Sequence, residues 1–391
     1  GAGRIRPWLS HPQRRGGGAI QDPGLLEPGP GTGDPLGRPS PGNQLAPGVT
    51  GQRGREPVGE RRPCPHPGGR PGRWRGVSLM GQTIRVLLTG AAGQLGQALI
   101  ASVPAGIELI ATGRSGGQGM LCLDLADATA CRQAVETHQP NWVLNAGAYT
   151  AVDKAESEPD VAETINAKAP RAFAEALRDQ GGRLLQLSTD FVFNGEQGRP
   201  YRPSDSRSPL GVYGASKARG EDAVEEILCA TGQGQILRTS WVMGPVGRNF
   251  ARTMLRLHRE RDAIGVVADQ VGCPTCTHSL AAACWQAIQR SSAGDSLPAV
   301  LHWSDAGAAS WFDVAVAVGE LAVELGLLER MAAVTPITTA DYPTPAKRPS
   351  YSLLDCFSGR QALELDASPW RQALRQLLQT IPTATTTTTS S

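Results

Sequence analysis

Between residues 84 and 187 the apolar positions fall into two alternating patterns. Compact runs, Ile84-Arg-Val-Leu-Leu88, Glu108-Leu-Ile-Ala-Thr112, Asn141-Trp-Val-Leu-Asn145 and Arg183-Leu-Leu-Gln-Leu187, read as strands, with a shorter strand at 120–123. Between them, residues 97–102, 128–138 and 161–180 carry helical periodicity. Parallel strands need a crossover connection, and the crossover helices then cover both faces of the sheet. The pattern therefore predicts an α/β fold with a doubly wound parallel sheet. Past residue 235 the alternation weakens, and Pro245, Pro274, Pro336, Pro343 and Pro345 interrupt it. A smaller C-terminal lobe over 236–380 is expected there, with some elements returning to the sheet of the 80–235 domain.

Composition sets the two ends apart from this body. Residues 1–79 hold 19 Gly and 14 Pro, so 33 of 79 positions cannot sustain a helix or strand interior. A disordered extension is expected, read as sequence upstream of a natural start at Met80 in preference to a genuine unstructured extension or a targeting segment. A transit peptide would be amphipathic and Ser-rich. Residues 381–391, rich in Thr, are expected to form a disordered tail. The extension carries 12 Arg and 5 acidic residues, whereas the rest holds 26 basic against 31 acidic, so the body is not an evident nucleic-acid binder. No apolar run reaches the roughly 18 residues of a membrane span. Eight Cys scattered through apolar segments fit a reducing compartment, with the cytoplasm the expected location.

Gly90-Ala-Ala-Gly93-Gln-Leu-Gly96 directly follows the first strand and opens a helix. In that position the first glycine permits the tight turn, the second admits a pyrophosphate close to the backbone, and the third lets helix and sheet pack closely. The helix N-terminus supplies free N–H groups and a positive dipole end for the phosphates, which Gln94 and Leu95 of the loop would flank. These residues identify the sheet as Rossmann-type and residues 80–235 as an NAD(P)-binding domain. The second strand ends in Gly113-Arg114 with no acid for a ribose hydroxyl. Arg114 is therefore expected to pair with the 2′-phosphate of NADPH, with NADH left open. Asp124 and Leu125, after the third strand, are expected on the adenine side, and Ala146, Gly147 and Ala148, after the fourth, along the cofactor.

Tyr213-Gly-Ala-Ser-Lys217 puts a phenol and an amine four residues apart, hence on one helix face. An ammonium beside a Tyr hydroxyl lowers its pKa toward working pH, which suits general acid catalysis. Ser188-Thr189-Asp190 ends the fifth strand, where a hydroxyl can donate to a carbonyl that Tyr213 protonates. Cys273-Pro-Thr-Cys276 has redox-motif spacing, but no second ligand pair accompanies it for zinc.

Taken together, the glycine loop and Tyr-x-x-x-Lys resemble the extended short-chain dehydrogenase/reductase superfamily, and within it the dTDP-4-dehydrorhamnose reductases. The closer resemblance rests on Asn145-Ala-Gly-Ala-Tyr-Thr-Ala-Val-Asp-Lys-Ala-Glu156, Ser188-Thr-Asp-Phe-Val-Phe193, Pro209-Leu-Gly-Val-Tyr-Gly-Ala-Ser-Lys217 and Leu237-Arg-Thr-Ser-Trp-Val242, with further matches at 249–257, 269–275 and 342–349. It spans roughly residues 82–378. The resemblance implies hydride transfer to C4 of dTDP-4-dehydro-L-rhamnose, giving dTDP-L-rhamnose for surface polysaccharide. It implies that Tyr213 protonates the oxyanion, Lys217 holds the nicotinamide ribose and Thr189 bonds the substrate oxygen. Asp190, Trp241, Asn249 and Arg348 would contact the nucleotide sugar. A homodimer and a Mg2+ ion at its contact stay open. Three positions depart from the family pattern: Phe191 stands for its usual Tyr, Gly211 for its usual Asn, and Gly147 for an Ala. The rival readings are another nucleotide-sugar reductase or epimerase, and a non-catalytic NADP-binding regulatory subunit. Retention of Thr189, Tyr213 and Lys217 argues against the second.

Overall fold

A computed structural model describes residues 83–381. The expected disorder of 1–79, and the tail apart from Ile381, lie outside the described residues. The N-terminal half runs β1 (Ile84–Thr89), α1 (Gln94–Ala101), β2 (Ile107–Gly113), β3 (Leu121–Cys122), α2 (Ala128–His138) and β4 (Trp142–Asn145). It continues through α3 (Val152–Ala155), α4 (Pro159–Glu163), a π-helical turn (Thr164–Lys168), α5 (Ala169–Gln180), β5 (Arg183–Thr189), α6 (Val212–Leu228) and β6 (Gly234–Thr239). After these come β7 (Val242–Met243), α7 (Phe250–Glu260), β8 (Ala263–Val267), β9 (Val271–Gly272), β10 (Thr275–Cys276), α8 (Thr277–Ser292) and β11 (Val300–His302). The chain closes with β12 (Ala309–Ser310), α9 (Trp311–Glu324), β13 (Ala333–Ile337), α10 (Phe357–Leu363) and α11 (Trp370–Gln379).

Seven strands form one sheet in the order β11-β6-β5-β4-β1-β2-β3, with every neighbouring pair parallel. Six of them reproduce the 3-2-1-4-5-6 winding of dinucleotide-binding sheets. Alternation along β1 shows how both faces are sealed. Val86 and Leu88 pack with Leu95 and Leu99 of α1 and Leu280 and Ile288 of α8, while Leu87 faces Phe173 and Leu177 of α5. Beyond β6, α8 and β11 return to this sheet. The rest of the C-terminal half builds a separate core from α7, β8, α9 and α11.

Two boundaries differ from the sequence pattern. Helix α1 starts at Gln94 rather than Gln97, so Gly93 is its N-cap and the glycine loop runs straight into the helix. The helix expected over 161–180 is broken into α4, the π turn and α5. Pro170 is the reason: without an N–H it cannot bond the Asn166 carbonyl four residues back. Gly220 of α6 packs against that freed carbonyl, where any Cβ would overlap the oxygen. Among the described residues no helix is long and apolar enough to cross a membrane.

Candidate active site

The chain reverses its winding between β1 and β4, and open parallel sheets bind ligands in that crevice. Gly90, at the end of β1, has φ +66°, and a Cβ on it would lie 2.7 Å from the Gly147 Cα after β4. Gly96 lets α1 settle on the turn, since a Cβ there would overlap the Gly90 carbonyl. Gly93 caps α1 without a side-chain hydrogen bond, and the first turn holds no acid. The positive end of α1 is thus left for an anion, and this donor set fits a pyrophosphate. Leu95, Ala146 and Ala148 line the adjoining cleft. Arg114 is exposed just past β2, and half-buried Leu125 lies against Gly147. Asp124 is turned inward on its own loop, accepting the Ala126 N–H at 2.9 Å.

Gln94 has a use the sequence did not suggest. Its buried side chain accepts from the Gly244 N–H (2.9 Å) and Asn249 Nδ2 (2.7 Å) and donates to the Arg248 carbonyl (3.0 Å). It ties α1 to the C-terminal half. Asn249 in turn caps α7, accepting the Arg252 N–H at 3.0 Å, and its second amide proton goes to the Gly244 carbonyl. Both amide protons are engaged within the fold, and Asn249 also lines the cleft described below.

The C-terminal end of β5 and the first turns of α6 supply the reactive groups. Thr189, Asp190, Tyr213, Lys217, Trp241 and Arg348 all line one cleft. Lys217 is buried and donates to the Leu187 carbonyl at 2.6 Å. Burial lowers its pKa to about 8, against an upward pull from Glu221 one turn further along α6. Tyr213 is half-buried on the cleft wall it shares with Thr189, with Phe191 edge-on to its ring at 5.6 Å. Desolvation pushes the phenol up to about 12 and the Asp190 charge adds to the rise. The net shift is thus upward, opposite to the depression expected from Lys217. Asp190 is buried, and its Oδ1 accepts from the Thr189 hydroxyl at 3.0 Å. Burial raises this carboxyl to about 6, against hydrogen bonds from Ser352 and Thr189.

A polar chain beneath the cleft connects the glycine loop to Lys217. The Thr89 hydroxyl donates to Asn145 (2.5 Å), Asn145 Nδ2 to Gln186 Oε1 (2.7 Å), and Gln186 Nε2 to the Leu187 carbonyl that also holds the lysine (2.7 Å). Thr89 Oγ1 accepts the Gly147 N–H at 3.0 Å. A second contact fixes α6 itself. Glu156 Oε1 accepts the Val212 N–H at 2.9 Å, serving as a cap from a distant segment where Gly211 has no side chain. A Cβ at 211 would press on that same carboxylate.

On the other wall, Trp241 (φ 45°) stacks on Trp311 with ring centres 3.6 Å apart, and Phe250 leans on Trp311 at 4.6 Å. Trp311 Nε1 donates to Gln270 at 3.2 Å. Arg348 forms a two-pronged pair with Asp153 (3.0 and 2.8 Å), both side chains being under one-tenth exposed. Asp153, Trp311 and Glu221 were not singled out from the sequence. Among the described residues no cluster of three or more His, Cys, Asp or Glu is placed to hold a metal. Cys273 and Cys276 are buried free thiols, and burial lifts Cys273 to about 12 and Cys276 well above its ordinary value, which leaves negligible reactive thiolate near neutral pH.

Residues 84–382 match the family described as the RmlD substrate binding domain. The dTDP-4-dehydrorhamnose reductase of Aggregatibacter actinomycetemcomitans is 38% identical over 299 residues, covering 75% of this chain and 98% of that protein. A crystal structure of such a reductase from Clostridium acetobutylicum superposes with a TM-score of 0.68 at 34% identity, covering 76% of this chain and 99% of that one. Its counterpart from Bacillus anthracis, solved in complex with NADP, gives 0.67 at 32% identity, with 76% and 99% covered. The chain belongs to the dTDP-4-dehydrorhamnose reductase family.

Proposed function

We propose that the protein reduces the C4 keto group of dTDP-4-dehydro-L-rhamnose with NADPH, yielding dTDP-L-rhamnose. The carrying observation is convergence: Thr189, Tyr213 and Lys217 meet in the cleft that opens beside the glycine loop. A nicotinamide cofactor bound there supplies the hydride. Gly90, Gly93 and Gly96 with the first-turn amides of α1 receive the pyrophosphate, and Arg114 pairs with the 2′-phosphate. Asp124 and Leu125 border the adenine, while Ala146, Gly147 and Ala148 flank the path to the reacting centre. The Thr189 hydroxyl donates to the substrate oxygen. Tyr213 gives it a proton as negative charge develops, and a phenol near 12 stays protonated until a strongly basic alkoxide forms. Lys217 orients the ribose and adds positive charge beside the forming phenolate. Trp241 offers an apolar face to the sugar, and Arg348 offers a fixed cation.

The regulatory-subunit reading loses its ground because all three groups are present in one cleft. The test is loss of NADPH absorbance with freshly made dTDP-4-dehydro-L-rhamnose, beside Tyr213→Phe. Removing the proton donor should cost about 10²–10⁴ in kcat. Cofactor binding without turnover by the unaltered protein overturns the proposal.

A further inference from the structure

Among the described residues three cations line the reacting cleft, and two of them are engaged within the fold. Lys217 is held by the Leu187 carbonyl, and the Arg348 charge is balanced by Asp153. The third is Arg248, in the turn between β7 and α7. It is exposed, and among the described residues its guanidinium has neither a carboxylate nor a hydrogen-bond partner. Its backbone is the opposite case. Gln94 Nε2 donates to the Arg248 carbonyl at 3.0 Å, and Arg252 Nη1 donates to the Gly247 carbonyl at 2.7 Å. At the start of the turn the Gly244 N–H donates to Gln94 Oε1 (2.9 Å), and the Gly244 carbonyl accepts from Asn249 Nδ2 (2.7 Å). A free charge is thus presented from a pinned turn, so little backbone freedom is lost when it meets an anion. Beside it, Phe250, Trp311 and Trp241 form an aromatic shelf along the same wall.

We propose that Arg248 binds the diphosphate that joins nucleoside and sugar in the substrate, and that Gln94 positions it from the glycine loop. The aromatic shelf suits the rings of a nucleotide sugar, but its anionic linker needs an uncompensated positive charge. A pair that is already neutral, such as Arg348 with Asp153, offers little net attraction. A guanidinium fork also matches two phosphoryl oxygens at once, where an ammonium acts as a point charge. The first turn of α7, which follows Arg248, carries no acid to compete for the guanidinium. The cofactor brings a second diphosphate, but the glycine loop and the first amides of α1 supply its donors. Gln94 belongs to that loop by sequence, yet its side chain is turned to Gly244, Arg248 and Asn249. It therefore serves the sugar side of the cleft from the cofactor side.

This inference rests on the proposed substrate, and a binding experiment separates it from the reaction. The NADP-loaded protein is titrated calorimetrically with dTDP and with thymidine, for the unaltered chain, Arg248→Ala, Arg248→Lys and Gln94→Ala. The affinity of each for NADP is measured alongside. Arg248→Ala should weaken dTDP about ten- to hundredfold, as loss of one charge-assisted contact predicts, with thymidine and NADP unchanged. Arg248→Lys should recover part of that loss. Gln94→Ala should weaken dTDP about two- to tenfold through a less ordered turn, again with thymidine and NADP affinity kept. A residue that only held the fold together would not move dTDP apart from thymidine. Equal dTDP affinity in the unaltered protein and Arg248→Ala overturns the diphosphate contact, and equal affinity in Gln94→Ala overturns the positioning. Loss of NADP affinity with dTDP binding kept gives Arg248 to the cofactor and also overturns the proposal. An unaltered protein that binds dTDP through Arg248 without reducing the sugar keeps the contact, and the reaction assignment falls instead.

Discussion

Glu221→Gln tests the charge network beneath the cleft. Glu221 is fully buried and Arg238 is 2% exposed; the carboxylate takes Arg238 Nε at 2.9 Å and Nη2 at 2.6 Å, and Arg207 Nη1 at 2.8 Å. Neutralising it leaves Arg207 with Asp222 (2.6 Å) and Glu225 (2.9 Å), so little is lost there. Arg238 fares differently. Its other polar neighbours are the Pro203 carbonyl at 3.1 Å and His302 at 3.3 Å, and burial beside Arg238 holds His302 neutral with a pKa of about 3. Neither carries a negative charge. A buried cation without its partner costs about 3–5 kcal/mol. With an unfolding entropy of about 2.1 cal/mol/K per residue over the roughly 300 described residues, that loss lowers Tm by about 5–8 °C. Calorimetry at pH 7 reads it directly. Glu221→Gln/Arg238→Met should recover most of the loss, because replacing both charges with apolar groups is often neutral. A single mutant within about 2 °C of the unaltered protein, or a double mutant worse than the single, refutes the reasoning.

Four further outcomes follow from the same geometry. Gly96→Ala forces a methyl onto the Gly90 carbonyl and should cost about 1–3 kcal/mol in a thermal melt while weakening NADPH binding in a fluorescence titration. Arg114→Ala should raise the KM for NADPH about ten- to hundred-fold and leave that for NADH unchanged, as loss of one charge-assisted contact predicts. Trp311→Ala removes the stacking partner of Trp241 and should raise the sugar KM about two- to tenfold with kcat nearly kept, read from steady-state kinetics. Lys217 titrates near 8 when folded and at its ordinary, higher value when unfolded, so the unfolded chain binds the extra proton between those values. Stability should therefore rise with pH from about 8 upward, a slope that Lys217→Met abolishes in urea melts.

Periodicity carried β1 to β5, whose apolar runs and crossover helices alternate, but not β6 (Gly-Gln-Ile-Leu-Arg-Thr) or the three-residue β11, which complete the sheet. It also carried the glycine loop and the Tyr213/Lys217 face, whose partners sit within a few residues of one another. What it did not carry is chemistry assembled across the fold. Asp153 and Arg348 are 195 residues apart, and nothing local to either marks it as the other's partner. Trp241 and Trp311 read equally well as separate core residues until the fold stacks them. Gln94 lies in the loop expected to meet the cofactor, yet its side chain turns to Gly244 and Asn249, some 150 residues on. The break at 164–168 was legible in principle from Pro170, although helical spacing on either side of it masked the signal.

One helix explains why the departures from the family pattern leave the reacting groups in place. Tyr213, Lys217 and Glu221 follow one another along a single face of α6, so anything that fixes the helix fixes all three. Its start is held by Glu156 from outside the helix, which makes a side chain at Gly211 unnecessary. Its flank is held by Asn166, whose Nδ2 donates to Ser216 at 3.0 Å, and its middle by the Glu221–Arg238 pair. The third departure acts elsewhere, and Phe191 keeps its edge-on contact with Tyr213 without needing a hydroxyl. The same rigidity sets a constraint on the proton path. A helix held at three points keeps Tyr213 on the cleft wall it shares with Thr189, so the phenol can meet a substrate oxygen there without a movement of α6.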